Sequence, residues 1–255
     1  MTKKELPSLF SFPQNPTKAE SEAAKKLYSL LDKYLKSNHP VLLLLSGGTW
    51  IPALDKADIS TLIVNKNLNK LTITTLDERV GTDSESNYGK LFSSQNIVSL
   101  VKSGADIIKT SSAIGEPIDT FSIRINKALK NYLFNHSGAI LVATAGVGGL
   151  SNVPGHIAGI EPMEDSDEFS NNFKNPEVLY CGYTAKKLQP EPRATATFPL
   201  LDKVNDFILL ILNPEQKRSS LELILSDNQK NLNIAPCTYF HSRKNTFIYT
   251  DIPIQ

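Results

Sequence analysis

The run Val-Leu-Leu-Leu-Leu at positions 41–45 constrains the fold most, because all five of its positions are apolar. A strand with one face in water alternates apolar and polar residues, whereas a strand covered on both faces is apolar throughout. The run is far shorter than the ~20 residues of a membrane-spanning helix. It therefore predicts a central parallel strand with helices on both faces of its sheet.

Strand and helix patterns alternate along the rest of the chain. Residues 17–37 carry apolar side chains at helical spacing, opposite a face of lysines and glutamates. Further strands are predicted at 71–76, 106–109, 139–143 and 206–212, further helices at 87–95, 117–135 and 214–226, and additional edge strands at 178–183, 194–198 and 246–249. This alternation predicts an α/β fold with a doubly wound, mostly parallel, Rossmann-like sheet.

The chain is expected to form a single domain over residues 1–255, since it contains no internal repeat and no long linker. Its longest irregular segment is predicted at 164–176. Lysine plus arginine (27) nearly equals aspartate plus glutamate (26), so neither nucleic acid nor a membrane is expected as a partner. The absence of an apolar signal segment and of a C-x-x-C pair favours a cytoplasmic protein. The sequence leaves open whether the chain forms a homo-oligomer.

Ligands of open α/β sheets bind beyond the carboxyl ends of the strands, so the residues after each apolar run are the candidates for a site. Ser46, Gly47, Gly48 and Thr49 follow the first run. Two glycines allow a tight turn whose backbone N–H groups face an anion, although a plain turn is the alternative.

Charged residues follow two other predicted strands. Asp77-Glu78-Arg79 comes after 71–76 and combines a carboxylate for acid–base work with a guanidinium that grips phosphate. Arg193 and Lys217 add a bidentate donor and a point charge. The alternative for each of these groups is a solvated surface position.

His156 lies among five glycines, and Glu161 follows five residues later. Histidine is the side chain best suited to exchange protons near neutral pH, and glycines let a substrate approach the backbone. His39, His136 and His241 lack such a setting and are expected at surface or capping positions. His156 is therefore the predicted acid–base residue.

Taken in order, these motifs resemble the 6-phosphogluconolactonase and glucosamine-6-phosphate isomerase/deaminase superfamily over nearly the whole chain. The motifs are S-G-G-T at 46–49, D-E-R at 77–79 with S-N-Y at 86–88, G-H-x-A at 155–158, R-x-T-x-T-x-P at 193–199 and a later lysine. An arginine at position 79 resembles the lactonase branch of the superfamily, whereas a glutamate at position 161 resembles the deaminase branch. The resemblance implies a small phosphorylated sugar or sugar lactone as substrate and no cofactor or metal.

Three functions remain open at this stage. The first is hydrolysis of 6-phosphogluconolactone, a reaction of the pentose phosphate pathway, with His156 as base and the phosphate held by residues 46–49, Arg79, Arg193 and Lys217. The second is an aldose–ketose isomerase or deaminase, with Asp77 moving a proton while His156 and Glu161 open the sugar ring. The third is a sugar-phosphate-binding protein that lacks activity.

Departures from the family pattern count against the second function and leave open an altered substrate or the third function. Pro154 occupies the position of the family aspartate, and residues 149–153 form an insertion. Trp50 replaces the usual threonine after the glycine turn, and Pro214 replaces a glycine three residues before Lys217.

Overall fold

The computed structural model describes residues 6–80, 86–113, 115–148, 155–188, 192–226 and 231–254, which form an α/β fold. The strands are β1 (Ser8–Ser11), β2 (Val41–Leu45), β3 (Leu71–Thr75), β4 (Asp77–Arg79), β5 (Asp106–Ile107), β6 (Ile140–Ala145), β7 (Tyr180–Thr184), β8 (Pro192–Ala196), β9 (Asp206–Ile211) and β10 (Thr246–Thr250). The helices are α1 (Pro16–Lys36), α2 (Trp50–Leu54), α3 (Ser60–Ile63), α4 (Asn87–Leu91), α5 (Gln95–Lys102), α6 (Ile118–Asn135), α7 (Ser166–Phe173), α8 (Phe198–Leu201) and α9 (Pro214–Leu225), with 3-10 turns at Leu68–Lys70 and Pro236–Phe240.

The main sheet is parallel and has the strand order β1-β10-β9-β6-β2-β3-β5 within the described residues. Leu42 and Leu44 of β2 belong to the hydrophobic core that includes side chains of α6 and α9. Val41, Leu43 and Leu45 belong to the core on the opposite face, with side chains of α1 and α5. The prediction of a strand covered on both faces is confirmed.

A second, antiparallel sheet has the order β4-β8-β7. The prediction of edge strands at 178–183 and 194–198 was therefore wrong in its placement. These segments pair with each other and with β4, because the chain leaves the main sheet at Leu76, whose carbonyl accepts from the amide of Ala196 at 2.9 Å. The strand predicted at 246–249 lies inside the main sheet as β10, since β1 covers its outer side.

Three other segments differ from the sequence prediction. The helix predicted at 87–95 ends at Leu91, and α5 begins after Ser94, whose hydroxyl accepts from the amide of Ile97. Residues 164–176 are not irregular: Asp165 caps α7, which buries two phenylalanines. The strand predicted at 106–109 forms ladder pairs only over β5. No helix in the described ranges is both long and apolar enough to cross a membrane.

Candidate active site

A cleft of ≈ 350 Å³ opens at the carboxyl ends of β2 and β6, where the small sheet packs against the large one. This is the place where ligands bind in open α/β sheets. The residues that line the cleft are Ser46, Gly47, Gly48, Thr49, Asp77, Arg79, Asn87, Gly146, Val147, His156, Ala158, Leu188, Arg193, Gln216 and Lys217. All the residues predicted from sequence to bind phosphate therefore line one cleft, together with His156 and Asp77.

Each glycine of the turn after β2 has its own structural reason. Gly48 has a φ of 58°, which favours glycine, and the space around its Cα is open. A Cβ on Gly47 would instead lie 2.0 Å from Oδ1 of Asn87. The Nδ2 of Asn87 donates to the carbonyl of Asp77 at 3.0 Å, so close packing at Gly47 joins the turn to β4.

The tryptophan that follows the turn is fully buried in the core beneath it. The Nε1 of Trp50 donates to the carbonyl of Ala145, the last residue of β6, at 3.1 Å. A threonine could not span this distance, so the departure at position 50 adds a tie between the turn and the end of β6. The cleft residue Thr49 is left without a side-chain capping bond.

Strands β4 and β8 present their charges on one face. Arg79 lies directly opposite Arg193 in the antiparallel ladder, and Asp77 lies opposite Thr195. Because alternate residues share a face, Asp77 and the two arginines point to the cleft together. Like charges directly opposite each other repel, which makes this face a natural site for an anion.

Asp77 is buried beside these arginines, and its carboxylate lies 3.8 Å from Nη1 of Arg193. Burial raises the pKa of Asp77 above its ordinary value, while Arg193 and Arg79 oppose that rise. A carboxylate with a raised pKa is a stronger base than an ordinary one, so Asp77 is chemically suited to acid–base work.

Glu78 points away from the cleft and was given no separate role by the sequence. Its carboxylate accepts from the backbone amides of Arg79, Asn87 and Tyr88. Burial raises the pKa of Glu78 to about 8, against the effect of these three amides. The side chain joins β4 to the beginning of α4 and thereby places Asn87.

The segment that carries His156 is held at its base by Ser220 of α9. The Ser220 hydroxyl donates to the carbonyl of Gly148 at 3.2 Å and accepts from the amide of Gly155 at 3.1 Å. The amide of Gly148 also donates to the carbonyl of His156 at 2.7 Å. Pro154 and the insertion at 149–153 lie outside the described residues, but the two positions flanking them are joined through one hydroxyl.

The residues after His156 pack closely against the small sheet. A Cβ on Gly159 would lie 2.8 Å from the Cβ of Thr195 and 3.3 Å from that of Asp77. Ala158 has a φ of 48°, an unusual value for a residue with a side chain, and lines the cleft. Close packing at Gly159 thus brings the histidine segment against the strands that carry the arginines.

Lys217 lies in the first turn of α9, where proline is also acceptable at the first position. The departure at Pro214 is therefore compatible with the helix. Burial lowers the pKa of Lys217, and the nearby Asp251 opposes this effect. Gln216 beside it also lines the cleft and was missed from sequence; its only signal was its position next to Lys217.

Glu161 lies outside the cleft, whereas all the other predicted site residues line it. Glu161 is fully buried, and its carboxylate accepts from the amides of residues 186–188. The prediction of a catalytic Glu161 beside His156 therefore has no counterpart in the cleft. Leu188, at the end of that segment, lines the cleft and was not predicted from sequence.

The other histidines lie at the surface or capping positions that the sequence predicted. His39 is exposed, and His136 caps α6 through the carbonyl of Tyr132. His241 is buried and caps the 3-10 turn at Pro236–Phe240, with Nδ1 2.8 Å from the carbonyl of Ile224 near the end of α9. No group of three or more His, Cys, Asp or Glu side chains within the described ranges could hold a metal ion.

Comparison with known proteins agrees with the fold and with the position of the cleft. The family model described as "Glucosamine-6-phosphate isomerases/6-phosphogluconolactonase" matches residues 14–249. The fold is similar to the solved 6-phosphogluconolactonase of Trypanosoma brucei, with a TM-score of 0.72 and 18% identity over 96% of this chain and 97% of that one. The 6-phosphogluconolactonase of Shewanella baltica OS155 gives a TM-score of 0.73 and 18% identity over 97% of each chain. No curated protein sequence matches the chain.

Proposed function

Because the chain belongs to the glucosamine-6-phosphate isomerase/6-phosphogluconolactonase family, we propose that it hydrolyses 6-phosphogluconolactone to 6-phosphogluconate. The observation that carries this proposal is the convergence of the glycine turn, three cationic side chains and His156 on one cleft. The similar solved structures described above are named 6-phosphogluconolactonases, which supports the same reaction.

The phosphate is expected to bind between the glycine turn and the cations. The amide of Ser46 is bound to the hydroxyl of Thr144 at 3.0 Å, so the backbone donors proposed for the phosphate are the amides of residues 47–49. Arg79 and Arg193 supply planar donors for phosphate oxygens. Lys217 adds a positive charge from α9. A bound dianion would also relieve the repulsion between the two opposed arginines.

His156 is proposed as the general base. Its neutral imidazole takes a proton from a water molecule as the water oxygen attacks the ester carbonyl carbon. The bond between that carbon and the ring oxygen then breaks, and the imidazolium returns the proton to the departing ring oxygen. A lactone is already reactive, so a fixed phosphate and one base supply most of what the reaction needs.

A second candidate is an aldose–ketose isomerase, and the observation that favours it is the buried Asp77 with its raised pKa. Such a carboxyl suits proton transfer between adjacent sugar carbons. The placement of Glu161 outside the cleft argues against the complete deaminase set. Release of ammonium from glucosamine 6-phosphate, lost in Asp77→Asn, would support this candidate over the lactonase.

The deciding assay couples lactone hydrolysis to oxidation of the 6-phosphogluconate product, with subtraction of spontaneous hydrolysis. We expect His156→Ala to lower kcat by about 10²- to 10⁴-fold, the usual contribution of a general base. His39→Ala is the matched control, since His39 is exposed, and it should retain full activity. Full activity in His156→Ala would remove the histidine from the mechanism, and stabilisation by a phosphosugar without turnover would favour a binding protein.

A further inference from the structure

The carboxylate of Glu161 forms a compact anchor for a distant segment. Its Oε1 accepts from the amide of Lys186 at 2.7 Å, and its Oε2 accepts from the amides of Lys187 and Leu188 at 2.8 and 3.0 Å. Hydrogen bonds to an ionised acceptor are short and strong, and three consecutive amides around one carboxylate fix the backbone between them.

The lysine side chain of this segment is engaged elsewhere. The Nζ of Lys186 contacts both carboxylate oxygens of the more exposed Glu168, at 2.8 and 2.7 Å. Glu161 therefore acts on the segment through its backbone, whereas Glu168 acts through a surface ion pair, which contributes little to stability.

The anchored segment ends at a wall of the cleft. Leu188 is 2% exposed and belongs to the core, and it also lines the cleft. The other apolar side chains of the lining are those of Val147 and Ala158. The remaining lining is mostly charged, polar or glycine. This apolar side of the cleft is suited to the carbon-bound hydrogens of a sugar ring rather than to its phosphate. Because so little of Leu188 is exposed, Leu188 mainly supports this wall from behind.

We infer that Glu161 is a positioning residue that fixes Leu188 as the support behind the apolar wall of the cleft, on which the sugar ring of the substrate packs. The inference rests on the proposed function in taking the ligand to be a phosphosugar lactone. It differs from the role in ring opening expected from sequence, because the carboxylate lies outside the cleft and is bound by the amides of residues 186–188. Contacts of this kind act on the ground state and the transition state alike, so they lower KM more than they raise kcat.

The test compares Glu161→Gln, Leu188→Ala and the double variant in the full chain, with Glu168→Gln as the matched control. We expect both single variants to raise KM about 5- to 20-fold with kcat changed less than about threefold. The double variant should be no worse than the more impaired single variant, since Glu161 acts through Leu188. The pH profile of kcat should not move, and Glu168→Gln should match the parent.

A loss of kcat in Glu161→Gln with a displaced pH profile and unchanged KM would overturn the inference. Multiplication of the two effects in the double variant would also overturn it. If Glu161→Gln does not fold, Leu188→Ala alone decides, because an unchanged KM in that variant contradicts the wall.

Hydrogen exchange separates this inference from the proposed function, because it needs no substrate. The amides of residues 186–188 should exchange slowly in the parent and in Glu168→Gln, and faster in Glu161→Gln, with amides of α1 unchanged. Absence of lactone turnover together with this exchange pattern would reject the lactonase and retain the anchor. Equal exchange in all folded variants would reject the anchor, whatever the activity.

Discussion

The two halves of the cleft are built in different ways. Asp77, Arg79 and Arg193 lie on β4 and β8, whose ladder hydrogen bonds fix their spacing and direction. The glycine turn and the His156 segment have no such ladder. They are held by separate contacts with distant elements, which include the close packing of Asn87 on Gly47 and the two hydrogen bonds of Ser220.

This difference separates charge placement from backbone placement. The strand-borne half consists of Asp77, Arg79 and Arg193, and repulsion between its two cations favours a bound anion. Substitutions in this half should therefore change stability through lost charge interactions. The turn-borne half consists of the glycine turn and the His156 segment, which shape the backbone around the proposed reacting atoms. Substitutions in this half should therefore lower stability through lost packing and lower the rate of the reaction. Substitutions in each half can test this division.

The largest effect on stability is expected for Arg193→Gln in the strand-borne half. Removal of this guanidinium leaves the buried carboxylate of Asp77 without its nearest cation and should lower the free energy of unfolding by about 3 kcal/mol or more. Arg79→Gln should cost less, because Arg79 is less buried. Urea unfolding of both variants measures the difference, and equal losses would contradict the assignment.

The loss in Arg193→Gln should also depend on pH. The folded pKa of Asp77 is already raised above 3.8, and loss of Arg193 should raise it further. A raised carboxyl pKa means that the folded state binds the proton more tightly, so stability falls as pH rises from 3.8 through the folded pKa. The deficit should therefore be larger at pH 8 than at pH 4; the reverse order would contradict a charge origin.

Gly47→Ala should have the next largest effect, now in the turn-borne half. The added methyl group would collide with Asn87 and cost about 1–3 kcal/mol, as overpacking usually does. Gly48→Ala is the matched variant: it meets open space but keeps a positive φ, at a cost of about 1 kcal/mol. Thermal unfolding and KM for the lactone measure both, and a milder effect at Gly47 than at Gly48 would argue against the packing described.

Ser220→Ala should lower stability by an amount similar to Gly47→Ala, and it should have a selective effect on rate. It removes two buried hydrogen bonds at the base of the His156 segment, worth about 1–3 kcal/mol in total. We expect kcat to fall several-fold with KM nearly unchanged. Ser219→Ala, an exposed neighbour on the same helix, should change neither. An unaltered kcat in Ser220→Ala would show that the two hydrogen bonds of the Ser220 hydroxyl do not position His156.

The sequence predicted the residues that line the cleft more fully than the side chains that hold them in place. Patterns of apolar residues predicted the central strands. The search for site residues beyond the ends of the predicted strands then identified the charged groups. The supports are separated from their partners by long stretches of chain: Ser220 contacts Gly148 across 72 residues and Gly155 across 65. Such contacts leave no local pattern, whereas the missed α7 had one, since Asp165 precedes it as a capping residue.

The bond between Trp50 and the end of β6 has a practical consequence. Trp50 is the only tryptophan in the chain, it is fully buried, and it follows the cleft residue Thr49 directly. Indole emission is sensitive to the polarity and hydrogen bonding of its surroundings. The molecule thus carries an intrinsic fluorophore directly beneath the residues that line the cleft, and titration with 6-phosphogluconate should report occupancy without any attached dye.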